Sequence, residues 1–167
     1  MNCEILNVLY VKANGEILCH DDFGERISLN WVRPEETFSM DAVFAGPKHQ
    51  HIRDSFAAGK VPWDGICQNC AFFRPLEPFS NGPNFAGQPK HLRMIQIESS
   101  LACPLACPCC SQSEQIATRP KPHIMPLETF EAVAAACARE GYTPGAFEYS
   151  CAIPIRSPST GCSSSPA

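Results

Sequence analysis

The stretch His91–Gln112, HLRMIQIESSLACPLACPCCSQ, decides how the chain is read. Its first half, His91 to Glu98, has the short apolar pattern of a strand, with Ile95 and Ile97 on one face. Its second half places Cys103, Cys107 and Cys110 in a Cys-x3-Cys-x2-Cys run on one loop. Three thiolates that close together can wrap three corners of a cubane cluster and leave one iron without a protein ligand. An open metal position is what a small molecule needs in order to bind directly. Downstream, Pro120 and Pro122 hold the chain extended, and Pro126 stands where a helix can begin. Leu127, Phe130, Val133, Ala134, Cys137 and Ala138 then recur at helical spacing, and Gly141 offers a C-terminal cap. Gly145 to Ser150 reads as another strand. Strand, loop, helix and strand make one βαβ unit.

Upstream, Ile5 to Lys12 is an apolar, β-branched stretch. Asn14-Gly15 is a strong turn signal, and Glu16 to Cys19 can return as the second strand of a hairpin. Asp21-Asp22-Phe23-Gly24 is a further turn, and Ile27 and Leu29 alternate with polar neighbours as a third short strand would. His51 to Ala58 suits a short helix ending at Gly59. Pro62 and Gly65 turn the chain into Cys67-x2-Cys70. Residues 74–90 hold four prolines and two glycines and read as a linker. The expected organisation is a cysteine-rich region over 1–73, a linker over 74–90, a second unit over 91–150, and a disordered Ser/Pro-rich tail over 151–167. The fold class is α/β (α+β overall): a small β-hairpin cysteine-rich region plus a βαβ unit.

The bulk properties set limits. The 167 residues are 44% hydrophobic and 18% charged, enough apolar content for a core. A net charge of -4 argues against bulk binding to nucleic acid or an anionic membrane. No run approaches the ~20 apolar residues of a membrane span, and the N-terminus lacks the pattern of a secretory signal. There are eleven cysteines, an odd number, and five of them sit in close Cys-x2-Cys or Cys-x3-Cys steps. Such steps suit a metal or cluster better than a disulfide scaffold, and the implied compartment is a reducing cytoplasm.

The Cys103-x3-Cys107-x2-Cys110 run, after a strand ending in Ile97-Glu98 and before an amphipathic helix, resembles the radical S-adenosylmethionine (radical SAM) superfamily. The likeness covers about residues 91–150. It implies the first βαβ unit of an incomplete partial TIM barrel, with Cys103, Cys107 and Cys110 holding a [4Fe-4S] cluster. S-adenosyl-L-methionine would chelate the fourth iron, and an electron donor such as flavodoxin or ferredoxin would drive its cleavage to a 5′-deoxyadenosyl radical. That radical abstracts hydrogen from a substrate, here of unknown identity, for which the auxiliary-cluster likeness below suggests a peptide. The chain departs from the family at Cys109, where an aromatic residue is usual, so Cys109 competes as a ligand. It also departs after GAFEYS, where no Gly-Gly-Glu-like segment follows. A full eight-unit barrel takes about 250 residues. The change of composition near Ser150 therefore leads us to expect a truncated, frameshifted or incomplete product, and the alternative function is a non-catalytic iron–sulfur or zinc-binding fragment.

Cys3, Cys19, Cys67 and Cys70 form a second candidate set. VKANGEILCHDDFGE followed by GICQNCAFF resembles the auxiliary-cluster extension called SPASM, or its shorter twitch relative, here placed before the core. The likeness implies a second iron–sulfur cluster. Zinc is the alternative, with His20 able to stand in for Cys3. Blander readings suit the rest. Cys137 reads as core, Cys151 and Cys162 as unpartnered, Asp21 and Asp22 as a solvated turn, Trp31 and Trp63 as packing. His49 and His51 have no supporting ligand spacing.

Overall fold

The computed structural model describes residues 2–20, 26–70, 72–74, 90–101, 122 and 124–150. Cys103, Cys107, Cys109, Cys110, Asp21, Asp22, residues 75–89 and the whole 151–167 segment, with Cys151 and Cys162, lie outside them.

The fold is mixed α/β. In chain order the strands are β1 (Asn2–Cys3), β2 (Val8–Val11), β3 (Glu16–Leu18), β4 (Ser28–Trp31), β5 (Phe73–Arg74), β6 (Lys90–Leu92), β7 (Met94–Glu98), β8 (Tyr142–Pro144) and β9 (Phe147–Ser150). The helices are α1 (Met40–Phe44), α2 (Pro47–Ala57) and α3 (Leu127–Glu140). Five strands form one sheet in the order β4-β3-β2-β7-β9. The pairs β2–β3 and β3–β4 are antiparallel, whereas β2–β7 and β7–β9 are parallel. A small parallel sheet pairs β6 with β8, and β1 pairs antiparallel with β5. Among the described residues the main sheet stays open, with β4 and β9 at its edges.

The hairpin forms where Asn14-Gly15 places it. Lys12 and Glu16 exchange a backbone bond of 2.8 Å, and Asn14 Oδ1 accepts from the Glu16 N–H at 3.1 Å. Gly15 holds φ +86°, a region open to glycine without cost, and a Cβ there would lie 2.6 Å from the Val32 carbonyl oxygen. The first strand is shorter than the sequence suggests. Glu4–Asn7 is a 3-10 turn that buries Ile5 and Leu6, and extended chain begins only at Val8.

The expected βαβ unit is present. β7 sits mid-sheet with Ile95, Gln96, Ile97 and Glu98 all buried, because a parallel strand in this position is covered on both faces. A bend at Arg93 divides the predicted 91–98 strand into β6 and β7. α3 ends at Gly141, which takes φ +75° and donates its N–H to the Cys137 carbonyl, closing the helix as a left-handed cap does. Its buried face is rotated from the expected one. Thr129, Val133 and Ala136 are buried, Phe130 and Cys137 pack half-buried at the rim, and Leu127, Ala134 and Ala138 face outward. The Thr129 methyl packs beside Gly15, so the start of α3 rests on the hairpin turn.

α2 begins at Pro47, four residues before the expected start, with proline in the first turn where its missing N–H costs nothing. α1 has no counterpart among the sequence expectations. Its N-cap is Ser39, whose hydroxyl accepts from the Ala42 N–H at 3.1 Å. Segments 1–73 and 91–150 meet in the main sheet through β2 and β7. They meet again where Asp41 of α1 accepts from Lys90 of β6 and, at 2.8 Å, from the Tyr142 hydroxyl of β8. Among the described residues no helix is long and apolar enough to cross a membrane.

Candidate metal centre

Four of the sequence-predicted ligands come together. Cys3, Cys19, Cys67 and Cys70 line one pocket, although they come from three separate parts of the chain. Cys3 closes β1 and is in register with Phe73 of β5. That pairing draws the N-terminus alongside the chain just after Cys70, whose carbonyl accepts from the Phe73 N–H at 3.2 Å. Cys67 opens a 3-10 turn over Cys67–Asn69, and the Cys70 N–H closes it on the Cys67 carbonyl. This is how a two-residue spacer turns both thiols toward one side. Gly65, at φ +80°, makes the preceding bend. Cys19 follows β3 beyond a register shift at Ile17/Leu18. Its N–H donates to the Ile27 carbonyl at 3.0 Å, and its sulfur accepts from the Ile27 N–H at 3.2 Å.

The rest of the wall is largely apolar: Ile5, Ile27, Ile52, Phe56, Trp63 and Phe73, with His20 beside the thiols. His20 is buried and its ring lies 5.4 Å from that of Phe72. Burial dominates the electrostatics. It pushes the Cys3 thiol up to about 12 and the Cys19 thiol up to about 11, and it raises Cys67 as well. Mutual repulsion adds to this. Cys3 feels Cys70, Cys19 and Cys67; Cys19 feels Cys70 and Cys67; Cys67 feels Cys70. Each of the four is therefore an electrostatic neighbour of the other three. Burial favours the neutral thiol at Cys3, Cys19 and Cys67, and a bound cation would reverse that preference by pairing with thiolates.

The donor set suits a soft metal or an iron–sulfur cluster in kind and in number, and its members line one largely apolar pocket. The fit does not extend to distance. Among the described residues no three Cys, His, Asp or Glu side chains stand in metal-holding geometry.

The other candidate residues fall elsewhere. His51 Nε2 donates to the Pro62 carbonyl, 2.7 Å away, and its ring packs against Trp63 at 4.9 Å. His49 is buried against Phe44, its ring 5.0 Å away, and takes no part in the pocket. Cys137 is half-buried against the core, as expected. Trp63 packs as expected and also walls the pocket. Ile27 was missed as part of the centre. Its contribution is a backbone N–H, which no residue-type pattern reveals.

Comparison of the chain with protein-family models, with characterised proteins and with solved structures finds no match.

Proposed function

We propose that the chain is an iron–sulfur protein of radical SAM type with two centres. One would be held by Cys103, Cys107 and Cys110, the other by Cys3, Cys19, Cys67 and Cys70. The observation that carries this reading is the convergence of the four N-terminal thiols in a single apolar pocket.

The βαβ unit supports the first centre indirectly. The chain leaves the carboxyl end of β7 at Glu98 and rejoins the described structure ahead of α3, and the three cysteines lie between. In open α/β sheets the carboxyl ends of parallel strands are where ligands bind. β2 and β7 are parallel neighbours there, and β2 turns back into β3 by a hairpin whereas β7 leads on to α3 and β9. S-adenosylmethionine held at an open cluster iron would supply a 5′-deoxyadenosyl radical for hydrogen abstraction from a substrate, of which a peptide is the candidate. The cysteines of the chain would hold the clusters as thiolates.

At the four-thiol centre the wall is largely apolar, and bound thiolates would carry the charge balance. Zinc is the competing occupant, favoured by the buried His20 in the same wall, which widens the donor set beyond sulfur. Anaerobic reconstitution with iron and sulfide, followed by reduction and addition of S-adenosylmethionine, tests the reading. The expected result is a change in the reduced cluster's EPR spectrum and release of 5′-deoxyadenosine. An unchanged spectrum with no nucleoside product would overturn the catalytic reading. Purification with tightly bound zinc and no cluster absorbance would replace the second centre with a zinc site.

A further inference from the structure

We infer that Cys67 and Cys70 are a dithiol–disulfide site, which closes by exchange with a small disulfide such as oxidised glutathione. The inference needs no metal and does not rest on the two-centre reading. A closed disulfide and a metal on these two sulfurs exclude each other.

Of the four pocket thiols, these two share one backbone turn. Cys67 opens the 3-10 turn Cys67–Asn69, and the Cys70 N–H donates to the Cys67 carbonyl at 3.2 Å. Side chains three residues apart in such a turn eclipse each other, and their Cα atoms lie about 6 Å apart. Disulfides span roughly 4.4–6.8 Å between Cα atoms, so the backbone already holds the pair within bonding reach. Both side chains line the same pocket. The turn is held by bonds that involve no sulfur. The Cys67 N–H donates to the Trp63 carbonyl at 3.0 Å, Asn69 Nδ2 to the Gly65 carbonyl at 2.7 Å, and the Phe73 N–H to the Cys70 carbonyl at 3.2 Å. Gln68 and Asn69 are exposed and the two cysteines half-buried, so a small reagent can reach the turn. Cys3 closes β1 and Cys19 follows β3, so no single turn sets the distance of either to this pair.

The exchange has two steps. One thiol of the pair attacks oxidised glutathione, forms a mixed disulfide and releases one glutathione. The other thiol attacks the mixed disulfide and releases the second. The pair loses two electrons and two protons, which the reagent takes up as two thiols. Surroundings that stabilise a thiolate favour the reduced form of such a pair. Burial instead raises the Cys67 thiol, and the neighbouring Cys70 adds to the rise, so the reduced form gains no such support at Cys67.

Metal-free protein equilibrated with oxidised glutathione, quenched in acid, alkylated under denaturing conditions and digested with trypsin tests this. Trypsin leaves Val61–Lys90 as one peptide, because Pro75 blocks cleavage at Arg74, and Cys67 and Cys70 are its only cysteines. The expected peptide carries no alkyl group and is lighter than the dithiol form by two hydrogens. In Cys70→Ser it should instead keep one glutathione at Cys67, the second thiol of the pair being gone. Two alkyl groups on Val61–Lys90 from the unaltered protein would overturn the inference. So would a retained glutathione there, or a bond from this peptide to another cysteine-bearing peptide. If Cys70→Ser does not fold, the peptide from the unaltered protein decides. Failure of the chain to take up iron or zinc would leave this result untouched, so the two readings fail separately.

Discussion

The Lys12 ammonium lies 3.3 Å from Glu98 Oε2, and both side chains are buried where the parallel strands β2 and β7 end. Glu98 Oε1 also accepts from the Ala13 N–H at 3.3 Å. The pair joins the first segment of the chain to the strand that leads into the cysteine loop. Removing one member of a buried pair leaves the other charge uncompensated, whereas removing both need not. Lys12→Met alone should therefore destabilise the protein by about 3–5 kcal/mol. The double variant Lys12→Met/Glu98→Met should recover much of that loss. Urea denaturation of the two variants checks this, and a double variant no more stable than Lys12→Met would contradict it.

Gly15 carries a second prediction. Its φ of +86° and the 2.6 Å approach of an added Cβ to the Val32 carbonyl oppose any side chain. The left-handed conformation alone costs a non-glycine residue about 1–2 kcal/mol, and relieving the clash adds to it. Gly15→Ala should lower the unfolding free energy by at least about 2 kcal/mol. Amide exchange should rise first in the hairpin and at the start of α3, which packs beside that turn.

A third prediction concerns acid. Burial, with the Arg53 guanidinium nearby, depresses His49 to about 4, and its Nε2 is buried with no hydrogen-bond partner. The unfolded chain binds the proton near pH 6.5 and the folded protein only near pH 4, so in that window the unfolded state holds more protons. Stability is then full above about pH 6.5 and falls as pH drops toward 4, by up to about 3 kcal/mol. His49→Phe should flatten that slope in denaturation curves taken across the window. A slope unchanged by the substitution would assign the acid sensitivity to other groups.

Local signals were the legible part of the fold. Asn14-Gly15 named its turn, Ile95 and Ile97 marked a buried strand, and Gly141 marked the end of α3 because each acts through its own backbone or its immediate neighbours. The parallel pairing of β2 with β7 was not legible. The two strands lie more than eighty residues apart, and nothing in either records its partner. The buried face of α3 was misjudged because Thr129 is buried through its methyl group beside Gly15, which hydrophobicity alone does not anticipate. At the candidate centre, residue type identified all four N-terminal thiols. Their convergence depends on the two-residue β1–β5 pair and on backbone bonds at Cys19, both of which are non-local.

Counting metal tests the two-centre account most directly. Anaerobically reconstituted protein should hold about eight iron and eight sulfide per chain, as two four-iron clusters require. Replacing Cys3, Cys19, Cys67 and Cys70 by serine should leave about four iron, and replacing Cys103, Cys107 and Cys110 should also leave about four. Iron content unchanged by the N-terminal substitutions, or one zinc in place of that iron, would contradict the claim that the four-thiol pocket holds a cluster.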